Sequence, residues 1–309
     1  MAIRPLTKSS AGSFSSSSFT YKRQKVLISI FFLAVPLILL LVFTYLPAIN
    51  MVFYSFTKWD GFGTIDKYVG IQNYIDIFSK PEYFSVFRVS LFYFVGSIVQ
   101  IALALYFATL VSFNLRFKNL FKGILFFPSL INGVAIAFTF LYFFQPDGGL
   151  DTVVKSFGGT NLPLWLGDRS LINISLTGVS IWRYMGFNFV MFVGAIQSIP
   201  SEIYEASELD GAGRGQQFRY IILPGIRMIL TLNLILAIKG ALSVFEIPYI
   251  MTGGMNGSST FVIQTVITAF KNNKVGLASA MAVILLVLIV IVTVIQNVVL
   301  NEKEDTQKL

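Results

Sequence analysis

The sequence predicts an all-α membrane protein with six transmembrane helices. Two observations carry that reading. First, the 309 residues are 55% hydrophobic and only 12% charged, against about 25% charged in a soluble globular domain, and the mean hydropathy is +0.74. Second, the apolar residues come in blocks too long for core helices, each near the ~20 residues that a bilayer requires.

The spans fall at residues 26–49, 88–112, 123–144, 171–197, 225–247 and 276–300. Residues 1–25 are Ser-rich with scattered cations and read as a disordered N-terminal arm. The apolar run that starts at Val26 is too long for the core of a signal peptide, and no small-residue cleavage site follows it. An even number of spans places both ends of the chain on one side, and lysine and arginine decide which. Arg4, Lys8, Lys22, Arg23 and Lys25 crowd the arm, and the short 113–122 loop carries Arg116, Lys118 and Lys122 with no acid. The arm, the 113–122 loop, the 198–224 gap and the 301–309 tail are therefore expected in the cytoplasm. The opposite side holds 57–87, 145–170 and 248–275, with turn sequences such as Pro146-Asp147-Gly148-Gly149.

Composition excludes much chemistry. The chain has no cysteine and no histidine, so thiol nucleophiles, thiolate metal sites and the commonest general base are absent. The net charge of +8 is dispersed and forms no nucleic-acid patch. No G-x-x-x-x-G-K-[ST] loop is present, so the chain is not itself an ATPase.

The 198–224 gap is the most specific stretch. Pro200 breaks the preceding span, and Ser201 is placed to cap a new helix over Ser201–Leu209. Ile203, Ala206 and Leu209 share one face of it, with Glu202, Glu205 and Glu208 beside them. Asp210-Gly211 ends the helix, glycine being free to turn left-handed. Pro224 then falls in the first turn of the next span, where proline is tolerated. The small residues Ala206 and Ser207 allow a partner surface to approach closely.

Glu205-Ala206-Ser207, Gly211 six residues after the glutamate, and Ile221-Ile222-Leu223-Pro224 beginning ten residues beyond that glycine resemble the EAA loop of ABC-importer permeases. Ser207 stands where that family more often has alanine. The chain further resembles the carbohydrate branch, that of the maltose and glycerol-3-phosphate systems. The matching pieces are Gln197-Ser198-Ile199-Pro200, Val69-Gly70-Ile71-Gln72-Asn73-Tyr74, Thr252-Gly253-Gly254 and Gly276-Leu277-Ala278-Ser279-Ala280-Met281. Met255 departs from the usual proline. The resemblance implies an ABC importer type I permease fold in a prokaryotic plasma membrane, with a cytoplasmic coupling helix carrying Glu205, Ala206, Ser207, Leu209, Asp210, Gly211 and Pro224. It also implies a second permease subunit as a hetero-pair, two cytoplasmic ATPase subunits that use ATP and Mg, an extracytoplasmic solute-binding protein and a sugar substrate. No cofactor or metal belongs to this chain.

Arg183 and Lys239 lie inside spans, where charge is costly and faces a bundle interior or a water-filled cavity. The pathway reading has Arg183, Tyr184, Phe187 and Asn188 lining it from one helix and Lys239, Gly240 and Ser243 from the next, the two segments that hold solute in maltose-type relatives. A cationic lining of this kind favours an acidic or phosphorylated sugar. The competing reading has either cation touching a partner permease or snorkelling to an interface. Two alternatives for the whole chain stand beside sugar import: a permease of the same class for amino acids, polyamines or phosphate, and a self-contained secondary transporter or channel. Glu246 is the one carboxylate near membrane depth that ion coupling has available.

Overall fold

The computed structural model describes residues 16–65, 67–113 and 117–305. Residues 1–15 of the expected arm, Arg116 and residues 306–309 lie outside the described residues. The chain divides into two compact units, residues 1–53 and residues 54–309.

The first unit is helical throughout its described part: α1 (Ser16–Leu40), a π-helical turn (Leu41–Tyr45), and α2 (Leu46–Tyr54), which runs one residue into the second unit. The described part of this helix starts at Ser16, so residues 16–25, expected as part of a disordered arm, are helical. Extending an existing apolar helix adds one bond per residue without a second nucleation step. The π turn ends two residues before Pro47, which has no N–H for the ladder and crowds the turn before it. The same arrangement recurs at Phe218–Ile222, just before Pro224.

The second unit opens with a two-residue antiparallel pair, β1 (Thr57–Lys58) and β2 (Lys67–Tyr68), with Thr57 opposite Tyr68. Asn73 fastens it by donating from Nδ2 to the carbonyls of Ser55 and Thr57, at 2.8 and 2.9 Å. Short helices α3 (Gln72–Ser79) and α4 (Pro81–Ser85) lead into α5 (Phe87–Ser112). Then come α6 (Lys118–Leu130), α7 (Gly133–Phe143), α8 (Gly149–Ser156) and α9 (Ile172–Gln197). The gap before the next span holds α10 (Ser201–Leu209), α11 (Arg214–Gln217), the second π turn and α12 (Leu223–Gly225). The chain continues through α13 (Arg227–Leu242), α14 (Glu246–Thr252), α15 (Phe261–Val266) with a third π turn (Ile267–Lys271), and α16 (Val275–Asp305).

Five stretches of the described chain are helices long and apolar enough to cross a membrane: Arg23–Tyr54, Pro81–Ser112, Ile172–Gln197, Arg227–Thr252 and Val275–Gln296. The span expected at 123–144 is not one straight helix. It is α6 and α7, bent by 94° at Ile131 and Asn132. Pro128 withholds a donor in the last turn of α6, and Asn132 starts a fresh helix by accepting the Val134 N–H on Oδ1 at 2.8 Å. The span expected at 225–247 is interrupted as well, at Ser243–Phe245, before α14 resumes. The freed carbonyl of Val244 accepts a hydrogen bond from Thr260 Oγ1 at 2.7 Å.

Helix α9 is the shared wall of this unit. At one end Phe189, Phe192, Val193 and Ile196 pack with Ile101, Ala104, Leu105 and Ala108 of α5 and with Ile222 and Ile226. Towards its other end, Ile172, Leu176 and Val179 meet Val89 and Tyr93 of α5, Ile136 and Ala137 of α7, and Ile247 and Met251 of α14. Helix α6 reaches α9 at Gly186, where an added Cβ lies 2.3 Å from the Leu125 carbonyl oxygen. A third cluster joins Ile77, Tyr83 and Phe261 to Ala280, Met281 and Ile284 of α16.

Outside the spans, Asp151 of α8 is buried and holds the 145–168 segment together. Its carboxylate accepts the Trp165 indole N–H and the Asp147 backbone N–H, both at 2.8 Å. These donors, the indole first, hold its pKa below the ordinary carboxylate value. The contribution of this pin to stability is thus complete above that ordinary value and is lost as the pH falls through the lowered one.

The close approach at Gly186 predicts that Gly186→Ala forces α6 off α9 and destabilises the protein by about 1–3 kcal/mol. Gly178, on the same helix with nothing within 4 Å of an added Cβ, is the control: Gly178→Ala leaves stability unchanged or slightly raised. Thermal unfolding of both variants in detergent checks this.

Candidate functional site

Two places in the second unit concentrate polar groups that the packing alone does not require. The first is the 198–224 gap. Helix α10 forms over the expected residues, although Ser201 is its first residue and provides no cap: Pro200 occupies the cap position without a side-chain bond. Asp210 and Gly211 close the helix, with Gly211 at φ +79°. The expected apolar face is displayed rather than buried: Ala206 is exposed, Ile203 is 46% exposed and Leu209 is 90% exposed. These apolar side chains project from a short helix and are not covered by the rest of the chain.

Ser207 departs from the expectation that it leaves room for a partner. It is half-buried, donates from Oγ to the Tyr204 carbonyl at 2.7 Å, and accepts from Gln217 Nε2 at 2.9 Å. Buried Gln217 thereby ties α11 back to α10. Behind the helix is a cleft of about 430 Å³ that includes Ser112, Tyr204, Glu205, Glu208, Arg214 and Gln217 in its walls. The Arg214 guanidinium lies over the Phe113 ring at 5.3 Å, joining this loop to the end of α5. Burial pushes the Tyr204 hydroxyl up from its ordinary pKa, and it has no hydrogen-bond partner within the protein. Asp210 and Pro224 are both exposed.

The second place is a cavity of about 490 Å³ between α5, α9 and the broken α13–α14 segment. Of the residues expected along a pathway, Tyr184, Phe187, Asn188, Gly240 and Ser243 line it, and Arg183 and Lys239 do not. Lys239 is exposed elsewhere on α13. Arg183 stands behind the wall, 13% exposed, and donates from a terminal nitrogen to Glu246 Oε2 at 2.6 Å. Its guanidinium also lies 4.8 Å from the centre of the Tyr184 ring. The two cations expected along the pathway are thus not in the walls of this cavity. The break at 243–245 turns Glu246 towards Arg183, and Lys239, two turns back on α13, has no such partner face.

The pair sits where both helix breaks meet. A Cβ added to Gly133, the first residue of α7, falls 2.1 Å from an Arg183 nitrogen and 2.2 Å from Glu246 Oε2. Glu246 also opens α14, where a carboxylate complements the N-terminal dipole.

Three amides cross the cavity floor in series. Gln100 Nε2 donates to Asn188 Oδ1 at 3.0 Å, Asn188 Nδ2 donates to Asn233 Oδ1 at 2.7 Å, and Asn233 Nδ2 donates to the Ile229 carbonyl at 2.7 Å. They link α5, α9 and α13. Tyr93 and Thr177, 4% and 8% exposed, also line the cavity, and neither hydroxyl has a partner within the protein.

The pathway expected from sequence did not include Tyr93, Ser97, Gln100, Thr177 or Asn233. The signal was there: Tyr93, Ser97 and Gln100 follow one another at four and three residues in an otherwise apolar run, a polar stripe on one helix face.

A protein-family model, the binding-protein-dependent transport system inner membrane component, matches residues 100–302. That segment contains α10, the cleft and most of the cavity. The probable ABC transporter permease protein YurN of Bacillus subtilis is 32% identical over 269 residues, covering 85% of this chain and 92% of that protein. The multiple sugar-binding transport system permease protein MsmF of Streptococcus mutans is 33% identical over 269 residues, covering 86% and 92%. Among solved structures, a chain of a bacterial ABC transporter involved in the import of the acidic polysaccharide alginate superimposes with a TM-score of 0.80. It shares 19% identity, and the alignment covers 91% of this chain and 96% of that one.

The amide series predicts a non-additive pair. Asn233→Leu leaves Asn188 Nδ2 without its acceptor inside the bundle and costs about 1–3 kcal/mol. Asn188→Leu with Asn233→Leu costs less than the sum of the two single changes. A double-mutant cycle on thermal unfolding reads both.

Proposed function

Because the chain belongs to the family of binding-protein-dependent transport system inner membrane components, we propose that it is the permease subunit of an ATP-driven importer of a carbohydrate. It is a multi-pass protein of the plasma membrane. The observation that carries the proposal is the presence, within the matched 100–302 segment, of both a helix with an exposed apolar face and most of a cavity that carries polar groups, joined by one continuous span. Similarity to a multiple-sugar permease and to a subunit of an alginate importer supports the carbohydrate class.

In this reading α10 lies at the cytoplasmic mouth and docks on one of two ATPase subunits, which use ATP and Mg. Ile203, Ala206 and Leu209 form the contact, and the Ser207–Gln217 bond makes α10 and α11 move as one piece. Helix α9 ends at Gln197, and only Ser198 to Pro200 separate it from α10. A displacement of α10 therefore acts directly on the span that carries Thr177, Tyr184 and Asn188. A second permease subunit completes the pathway, and an extracytoplasmic binding protein delivers the sugar. ATP binding favours one of two states of the permease pair and hydrolysis restores the other, which is alternating access driven by a difference in free energy. No bond is made or broken by this chain.

The ion-coupled alternative loses ground at Glu246, because its carboxylate is already engaged by Arg183. The test is reconstitution of the chain with its partner permease, ATPase and binding protein in nanodiscs, with ATP hydrolysis measured against sugar-loaded binding protein. Stimulation by a sugar supports the reading; transport by this chain alone on an ion gradient overturns it. Gly211→Pro demands φ near −65° where the structure has +79°, and it lowers stimulated hydrolysis at least tenfold. Leu209→Asp puts a charge on the contact face and reduces copurification of the ATPase.

A further inference from the structure

We propose that the 490 Å³ cavity selects uncharged sugars, with Glu246 turning anionic sugars away and Arg183 serving as the positioning residue for that carboxylate rather than as a sugar ligand. The inference rests on the carbohydrate reading and specifies its solute.

The first support is which charge faces the cavity. Among the described residues that line it, Glu246 alone carries a formal charge at neutral pH. The Arg183–Glu246 pair is neutral as a unit, but the two ends are not equally placed. The carboxylate is 38% exposed and in the wall, whereas the guanidinium is 13% exposed and behind it. An anionic solute meets the negative end first, and Coulomb repulsion is weakly screened inside a largely apolar wall.

The second support is that Arg183 has no freedom to swing into the cavity. It is held by Glu246 at 2.6 Å and by the Tyr184 ring at 4.8 Å, and Gly133 closes the third side. Glycine is the one residue type that fits at position 133, since an added Cβ falls within 2.4 Å of both terminal guanidinium nitrogens of Arg183. Lys239 does not line the cavity either. Among the described residues, this chain therefore places no lysine or arginine in the cavity wall to receive a carboxylate or phosphate from a sugar.

The third support is the set of groups that want a partner. The Tyr93 and Thr177 hydroxyls are more than nine-tenths buried, line the cavity and lack any protein partner. A hydroxyl both donates and accepts, so each can pair with a sugar hydroxyl in either sense once a small side-chain movement uncovers its oxygen. A carboxylate only accepts, and here it must also approach Glu246. Aromatic faces at Tyr184 and Phe187 cover the C–H surface of a neutral ring.

The experiment measures direct binding, so that the binding protein's own selectivity does not enter. The permease pair with its ATPase is placed in nanodiscs. Maltotriose, cellotriose and galactotriose are titrated by calorimetry beside the trisaccharides that differ only by oxidation at C6. The expected result is that any neutral sugar that binds does so at least tenfold more tightly than its uronate. E246Q, which leaves Arg183 unopposed, narrows that ratio at least tenfold, and R183Q/E246Q, which removes both charges, does not restore the preference of the unaltered complex. Tyr93→Phe, read on the neutral sugar alone, weakens its binding severalfold.

A uronate that binds the unaltered complex as tightly as its neutral counterpart overturns the inference while leaving the carbohydrate reading intact. An unmoved ratio in an E246Q complex that still assembles also overturns it. Binding of no sugar from either series overturns the carbohydrate reading, and the inference with it. The comparison on the unaltered complex decides even if E246Q fails to assemble.

Discussion

A polar group enclosed among apolar helices has to find its partner inside the chain, because lipid offers none and an unmet group is costly. That constraint organises this molecule more than any single hydrophobic contact. Two spans are broken, at Ile131–Asn132 and at Ser243–Phe245, and each break exposes backbone groups that a straight helix satisfies. Asn132 answers one with its own side chain, and Thr260 answers the other from a different segment. The Arg183–Glu246 pair then occupies the point where the two breaks approach, with Gly133 flush against both side chains. Removing either charge leaves the other with nothing to oppose it at that depth.

The breaks also shape the cavity. A straight fifth span over 225–247 continues the α13 face past Ser243. The interruption instead rotates Glu246 and Phe245 into the wall and stacks Phe245 on Tyr249 at 4.8 Å. The amide series from Gln100 to Asn233 holds α5, α9 and α13 at a fixed spacing beneath it. Paired amides are directional, so the series sets rotation as well as distance, which apolar packing specifies only loosely. The same α9 that carries Asn188 runs to within three residues of α10. Force applied at the exposed helix therefore has a short, stiff route to the cavity.

Much of the fold was legible from residue pattern. Five of the apolar blocks coincide with helices long and apolar enough to cross a bilayer, because length and hydropathy are local properties of the sequence. The α10 boundaries were legible from Pro200 and Gly211, whose backbone limits are local. The 94° bend between α6 and α7 was signalled by Pro128 and Asn132-Gly133, but an apolar run masks such signals when only average hydropathy is weighed. Residues 16–25 misled in the opposite direction. Their composition is that of a flexible arm, yet an adjoining helix extends into them.

Sequence by itself determined what depends on near neighbours: the all-α membrane class, the positions of the spans, the amphipathic helix between Pro200 and Gly211, and the family to which that helix belongs. The tertiary structure alone decided what each polar residue faces. Arg183 and Lys239 look equivalent along the chain, two cations inside two spans. They part company because Glu246, 63 residues from Arg183 in sequence, is turned towards the first and away from the second by a helix break. Ser207 likewise looks open to a partner until Gln217 is seen to claim it. Charge and hydrogen-bond satisfaction are relations between groups distant in sequence, and only the folded chain brings the two members together.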